Sequence, residues 1–366
     1  MSALPLWAYA VILVATLLGS LVLTPLALAL ALRLHILDHP APSKAHTTAV
    51  PYLGGAAIVI SFAGVVLVAT AIRPPPDHVG QLVGFMGLGV LLALVGLTDD
   101  VRGGLSPWLR LALEAGAGAA VWALGDSPHL AGVPDWGNAL LTVAWIVVVT
   151  NAFNLLDNMD GLSAGVAVVA ALSIFGIAWL QHRYLVGALA VALAGCAAGF
   201  LRHNFHPARI YMGDAGSLFL GFVVAVLCLK LRENAPTRVP IAVILAVPGV
   251  ALFDTALVLV DRVRHRRNPL NGGQDHTSHR LVRLGCSIRQ AVAIVYLAAA
   301  VLGGAAIGMF RLGHVVRIAG VVGLGVAGVL AAAGLWRVDV YKGDAAHRAA
   351  ATPAPAPVGA GDLADA

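Results

Sequence analysis

Charge is what this 366-residue chain has least of: Asp, Glu, Lys and Arg together make 11% of it, against roughly 25% in a soluble domain. So few charges cannot cover a water-facing surface, which excludes a soluble enzyme. The same shortage of polarity excludes a disordered chain. Cysteine is scarce as well. Cys196, Cys228 and Cys286 show no CxxC spacing, and an odd, sparse set builds neither a disulfide framework nor a zinc site. No Gly-X-Y period organises the 41 glycines, so collagen is out. The net charge of +5 is modest and gives no reason to expect nucleic acid. What is abundant is apolar: 59% hydrophobic residues and a mean hydropathy of +0.88. That describes an integral membrane protein. Long unbroken runs favour helices over a barrel, whose strands alternate in segments of about 10 residues.

A span needs about 20 mostly apolar residues. Eleven stretches qualify: 5–32, 52–72, 80–98, 108–125, 137–153, 162–180, 184–201, 215–231, 239–261, 290–310 and 314–336. The fourth is weakest, because it carries Arg110 and Glu114; the ninth contains Asp254. The expected fold is all-α, a single polytopic domain over 1–342, followed by an Ala/Pro-rich tail, 343–366, expected to be disordered. The first stretch is not read as a signal peptide, since no Lys or Arg precedes Arg33 and the positive n-region is missing. With the N-terminus outside, eleven spans put 16 of the 23 Lys and Arg on one side and 7 on the other. By the positive-inside rule the richer side, with the C-terminus, is cytoplasmic.

The acids gather on that side too, at Asp38, Asp99, Asp100, Asp157, Asp160, Asp214, Asp261 and Asp275. Topology does not require carboxylates, and they cost energy near hydrocarbon, so their gathering calls for a function. Asp99 and Asp100 end the third span; adjacent carboxylates repel, and a divalent metal or a proton relieves them, unless the pair simply ends a helix in a polar turn. In NAFNLLDNMDGLSAG (151–165), Asn151, Asn154, Asp157 and Asp160 stand three apart, along one helix face. Such a stripe must face protein, water or ligand; the plainer reading is a loop capping the sixth span through Asp160. In YMGDAGSLFLGF (211–222), Gly213 and Gly216 flank Asp214 before an apolar helix. The helix N-terminus offers N–H groups to a phosphate, and Asp214 can ligate a hard cation; a plain N-cap is the alternative. RVRHRRNPLNGGQDHTSHRL (262–281) joins Arg266 and Arg267 to His276 and His279. Arginines hold phosphates, although a basic patch on anionic lipid would look similar. Lys44 and His46 stand in a Pro/Gly-rich loop (38–55), where Lys is a point-charge phosphate binder. Metal-binding carboxylates beside phosphate-binding cations on one membrane face describe phosphoryl transfer, which works by positioning and charge neutralisation.

The ordered series DD, NxxNxxDxxDGL, GDxGSxxLGF and DHxSHRL, from about Asp38 to Arg283, resembles the polyprenyl-phosphate N-acetylhexosamine-1-phosphate transferases. The resemblance implies transfer of a sugar-1-phosphate from a UDP-sugar to undecaprenyl or decaprenyl phosphate, with release of UMP and a need for Mg²⁺, which Mn²⁺ can replace. Asp99 matches the group that acts as base or orients the acceptor phosphate, and Asp100 its partner. Asp214 matches the Mg²⁺ ligand. Asp157 and Asp160 match the two aspartates lining the metal and nucleotide pocket, Asp157 as a second metal ligand, with Asn154 on the same face. Asn204 and Tyr211 fall where the uracil is held and stacked, and Lys44 with His46 where the phosphates lie. His276 and His279 match the histidine motif near the diphosphate, where Arg266 adds a donor and His279 is counted with the catalytic groups. Two positions depart from the pattern: Asn158 stands where the family often has Gly, and Ser43 where an Arg often precedes the lysine. DHTSHRL lacks the triple-histidine run of the enzyme that uses UDP-MurNAc-pentapeptide, so it looks closer to the branch using UDP-GlcNAc, which initiates cell-envelope glycans. The resemblance also implies a plasma-membrane enzyme with a cytoplasmic active site, and it leaves room for a homodimer. The rival class is a secondary transporter, which places coupling acids near the midplane in repeated halves. No internal repeat is seen, and only Glu114 and Asp254 lie deep, each expected to be a buried, paired carboxylate.

Overall fold

The computed structural model describes residues 4–38, 49–76, 78–125, 130, 132–232, 239–269 and 272–341. Helices dominate it, as the apolar runs require: backbone in hydrocarbon finds no water and must close its hydrogen bonds within the segment. Nine helices among the described residues are long and apolar enough to cross a membrane. They are α1 (Leu6–Leu34), α2 (Gly54–Ile72), α3 (Val79–Arg102), α5 (Asp135–Leu156), α6 (Leu162–Leu180), α7 (Tyr184–Asn204), α8 (Gly213–Lys230), α12 (Ile288–Arg311) and α13 (His314–Leu335). Polytopic all-α architecture is therefore as expected. The other two expected spans differ. The stretch 108–125 is α4 (Pro107–Ala123), only 17 residues, with Pro at its first position. The stretch 239–261 is not one span but two helices, α9 (Ile241–Ala246) and α10 (Gly249–Arg264). Pro248 stands between them; it has no N–H to donate, and its ring clashes with the carbonyl four residues back. A short α11 (Thr277–Arg283) follows.

Chain order does not set depth in the bundle. Every residue of α8 from Ala215 to Lys230 is buried, with α3, α5 and α2 packed around it. Glycine brings these neighbours close. A Cβ on Gly55 of α2 would stand 2.3 Å from the Gly216 backbone N, and one on Gly96 of α3 would stand 2.4 Å from the Asp214 carbonyl. At the other extreme no residue of Val315–Leu335 in α13 is buried, and the helix packs chiefly on α12; its apolar surface suits lipid.

Two strands of two residues, β1 (Leu37–Asp38) and β2 (Val50–Pro51), pair antiparallel with Leu37 opposite Pro51. They lead onto α8, because the Tyr211 N–H donates to the Pro51 carbonyl (2.8 Å) and the Gly55 N–H to the Met212 carbonyl (2.9 Å). Lys44 and His46, between the strands, lie outside the described residues, as does the tail from residue 342.

Candidate active site

Antiparallel succession brings one set of helix ends together: the C-terminal ends of α3, α5, α7 and α10 with the N-terminal ends of α4, α6 and α8. Every acidic motif sits at this end. Asp99 and Asp100 are sequence neighbours, yet the helical turn between them aims them apart. The Asp100 carboxylate accepts from the backbone N–H groups of Asp214 (3.1 Å) and Ala215 (3.4 Å). It therefore caps α8. Asp99 turns towards α4, where it accepts from the Leu105 N–H and lies 3.9 Å from Arg110 Nη1. Two of the N–H groups that the GDAGS motif promised to a phosphate are thus already taken by a carboxylate. Gly213 fits this cap by its left-handed φ of 68°; a Cβ there would also meet Asp100 Oδ2 at 2.3 Å.

Arg110, on α4, is the hub. Its guanidinium donates to Asp214 Oδ2 at 2.7 Å and to Asn154 Oδ1 at 2.9 Å, and more weakly to Asn151 Oδ1 at 3.3 Å. Asn154 in turn donates to Asp214 Oδ1 (2.8 Å) and to the Ser217 hydroxyl (2.9 Å). Glu114, fully buried, accepts from Asn151 and lies 3.6 Å from Arg110. Nothing in the motifs pointed to Arg110. The usable signal was the oddity of a charged i, i+4 pair inside an otherwise apolar stretch.

Asp157, the C-cap of α5, differs from its neighbours. Among the described residues its carboxylate has no hydrogen-bond or ion-pair partner. Burial and the charges of Asp214, Asp100 and Asp160 push it well above the usual carboxylate range. An acid held among acids suits a cation. No group of three or more His, Cys, Asp or Glu side chains forms a ready metal cage among the described residues. Mg²⁺ takes one or two carboxylates and completes its shell with water and substrate phosphates. Asp157 and Asp214 are the residues suited to hold it.

Some expected substrate contacts are spent within the protein. Asn204 is buried; it accepts from the Gly161 N–H (3.0 Å) and donates to the Ile210 carbonyl (3.0 Å). It braces two loops. Asp160 accepts from His206 Nδ1 (2.7 Å) and the Ala208 N–H (3.0 Å), so it fixes the loop leading to Tyr211. Tyr211 itself is half-buried at the bridge to Tyr52. His276 is buried, and its Nδ1 pairs with Asp254 at 2.7 Å, which identifies the partner of that deep acid and fixes the orientation of the ring. His279 stays neutral: burial first, then the neighbouring His276, lowers its pKa to about 4. Ser278 donates to Asn158 Oδ1 at 2.6 Å and lies 3.5 Å from His279 Nδ1. The position where the family pattern often has Gly therefore ties the histidine segment to the central loop. Arg266 is exposed, with a left-handed φ of 52°, and among the described residues no site carboxylate pairs with it.

A polytopic helical bundle with acids, amides and one arginine converging at a single end defines a membrane protein with a built polar site at the bilayer edge. The sequence profile of Glycosyl transferase family 4 matches residues 82–232, which hold the Asp pair, Arg110, the central motif and GDAGS. The chain is 32% identical over 292 residues to a probable undecaprenyl-phosphate N-acetylglucosaminyl 1-phosphate transferase of Bacillus subtilis, covering 78% of this chain and 80% of that one. It is 31% identical over 300 residues to the decaprenyl-phosphate N-acetylglucosaminephosphotransferase of Mycolicibacterium smegmatis (73% and 74% covered). It is also 32% identical over 237 residues to a phospho-N-acetylmuramoyl-pentapeptide-transferase of Moorella thermoacetica (59% and 70% covered). The chain belongs to glycosyl transferase family 4.

Proposed function

We propose that this protein transfers N-acetylglucosamine-1-phosphate from UDP-GlcNAc to a polyprenyl phosphate, making a polyprenyl-diphospho-sugar and UMP. The observation that carries the reading is the cluster at one end of the bundle of Arg110, Asp214, Asn154 and Asp157, the last without a partner among the described residues. A phosphate oxygen of the lipid acceptor attacks the β-phosphorus of the donor; the bond from that phosphorus to the bridging oxygen breaks, and UMP leaves with the electron pair. Asp99 would orient the acceptor phosphate or take its proton. Asp214 and Asp157 would hold Mg²⁺, which supplies charge neutralisation between donor phosphates and protein carboxylates. Arg110 keeps Asp214 aimed, and neutral His279 can donate a hydrogen bond without adding charge. Relatives acting on undecaprenyl and decaprenyl phosphate and the bundle's apolar exterior support the acceptor class. With α4 counted as one crossing and α9 together with α10 as another, the basic residues divide 16 to 7, which supports a cytoplasmic active site in the plasma membrane, with the N-terminus outside. A phospho-MurNAc-pentapeptide transferase is the second reading, carried by the Moorella relative over a smaller share of the chain.

The test is purified protein with undecaprenyl phosphate and a panel of radiolabelled UDP-sugars. Labelled lipid and UMP should form from UDP-GlcNAc, stop in excess EDTA and return with Mg²⁺ or Mn²⁺. Undiminished transfer in EDTA would overturn the metal assignment. Preference for UDP-MurNAc-pentapeptide would move the protein to the second reading, and no product from any UDP-sugar would sink the reaction itself.

A further inference from the structure

We propose that the segment after α13, Trp336–Tyr341, is a strap that sets the position of the histidine segment for the sugar-nucleotide donor, with Tyr341 as its positioning residue. The proposal rests on the donor reading above. Helix α11 has seven residues, too few to hold itself in place, so its position is decided by what grips it. Three walls do so. On the first, α10, Arg262 donates twice to Asp275, at 2.7 Å each, and Asp254 accepts from the Thr277 N–H at 2.6 Å. The second is the central loop, through Asn158 and Ser278. The third is the strap.

The strap's bonds are numerous for a segment hanging from a helix with no buried residue in Val315–Leu335. Arg280, fully buried, donates Nη1 to the Leu335 carbonyl (2.9 Å) and the Val338 carbonyl (3.3 Å). Its Nε donates to the Asp275 carbonyl (2.9 Å). Arg283 Nη1 donates to the Asp339 carbonyl (3.0 Å). The Tyr341 hydroxyl donates to Asp275 Oδ2 at 3.0 Å, while its ring lies 3.9 Å beneath the Arg267 guanidinium and 4.8 Å from the His265 ring. Tyr341 thus grips both ends of the loop: the basic end at His265 and Arg267, and Asp275, which immediately precedes His276. Removing the Tyr341 side chain releases Asp275 and the basic end of the loop from the strap, while Arg280 and Arg283 still tie the strap to α11.

Initial rates of the full-length enzyme against UDP-GlcNAc, at saturating undecaprenyl phosphate, test this. Tyr341→Phe keeps the ring and deletes one hydrogen bond to a carboxylate, so the donor KM should rise about 3- to 10-fold. Tyr341→Ala should raise it further, and Arg283→Met, which keeps the stem and releases the Asp339 carbonyl, should raise it in the same direction. In all three, kcat should stay within about twofold and the acceptor KM should not move. Phe at 341 and Met at 283 decide the matter if Ala does not fold. Parent donor KM in both of these, or a fall only in melting temperature or kcat, overturns the strap while leaving the proposed reaction intact. A parent enzyme that makes no lipid-linked GlcNAc overturns both.

Discussion

Adding one methyl group to Gly96 should slow turnover by about two orders of magnitude. On α3 this residue faces the first turn of α8. Its Cβ would stand 2.4 Å from the Asp214 carbonyl carbon and oxygen and 2.5 Å from the Ala215 N. All three are backbone atoms, so no rotamer change relieves the clash. An ordinary contact starts at 3.4 Å, so the helices must part by about 1 Å. Overpacking of this kind costs roughly 1–3 kcal/mol of stability, which the wide burial of α8 can absorb. The site cannot absorb it: Asp100 on α3 bonds the Asp214 N–H at 3.1 Å, and the shift falls on that bond and on the aim of the Asp214 carboxylate. A displacement of about 1 Å in a positioned group costs around 100-fold in rate. Gly87→Ala, on the same helix with nothing within 4 Å of the added atom, is the control and should turn over like the parent. The assay is radiolabelled GlcNAc-1-phosphate transfer, with melting temperature and gel filtration to show folding. Parent-level turnover in a folded Gly96→Ala enzyme would refute the claim that this contact sets the site.

Arg110→Met should lower kcat by at least about 100-fold, since Asp214 and Glu114 lose their shared cation, while Arg110→Lys should recover only part because a point charge cannot reproduce the fork; equal activity in Met and parent would remove Arg110 from the site. His279, with its pKa pushed down to about 4, contributes stability that is whole above its unfolded pKa of about 6.5 and is lost as pH falls towards 4. Melting temperatures of the parent relative to His279→Gln should therefore converge between pH 6.5 and pH 4, and a constant difference across that range would mean that the imidazole is not held neutral.

Fold class was legible because hydrophobic run length is a one-dimensional property. The nine long helices follow from it directly. The break at Pro248 was legible in principle, since proline punctuates a helix, but the run 239–261 stays apolar across it. The acids were found because carboxylates at membrane depth have no cheap explanation. What they do to each other was not legible. No pattern says that Asp100 would cap α8, because the bond joins residues 114 apart. Arg110 stands out in the sequence only through its i, i+4 spacing to Glu114, which does not say that it reaches Asp214 on α8. Asn204 carries a residue type suited to a ligand, yet its side chain joins Gly161 to Ile210, and His276 turns Nδ1 to Asp254 on α10; only three dimensions show such commitments.

The central position of α8 bears on how the protein is made. It is among the least apolar of the nine candidate spans and the most enclosed, so lipid is a poor temporary home for it. Its walls, α2, α3 and α5, all precede it in the chain, and chains emerge N-terminus first at about 5–20 residues per second. When Gly213 reaches the membrane, several seconds of synthesis have already placed those walls. The helix bearing Asp214 therefore enters a socket assembled ahead of it, with the Asp100 carboxylate there to receive its first N–H groups.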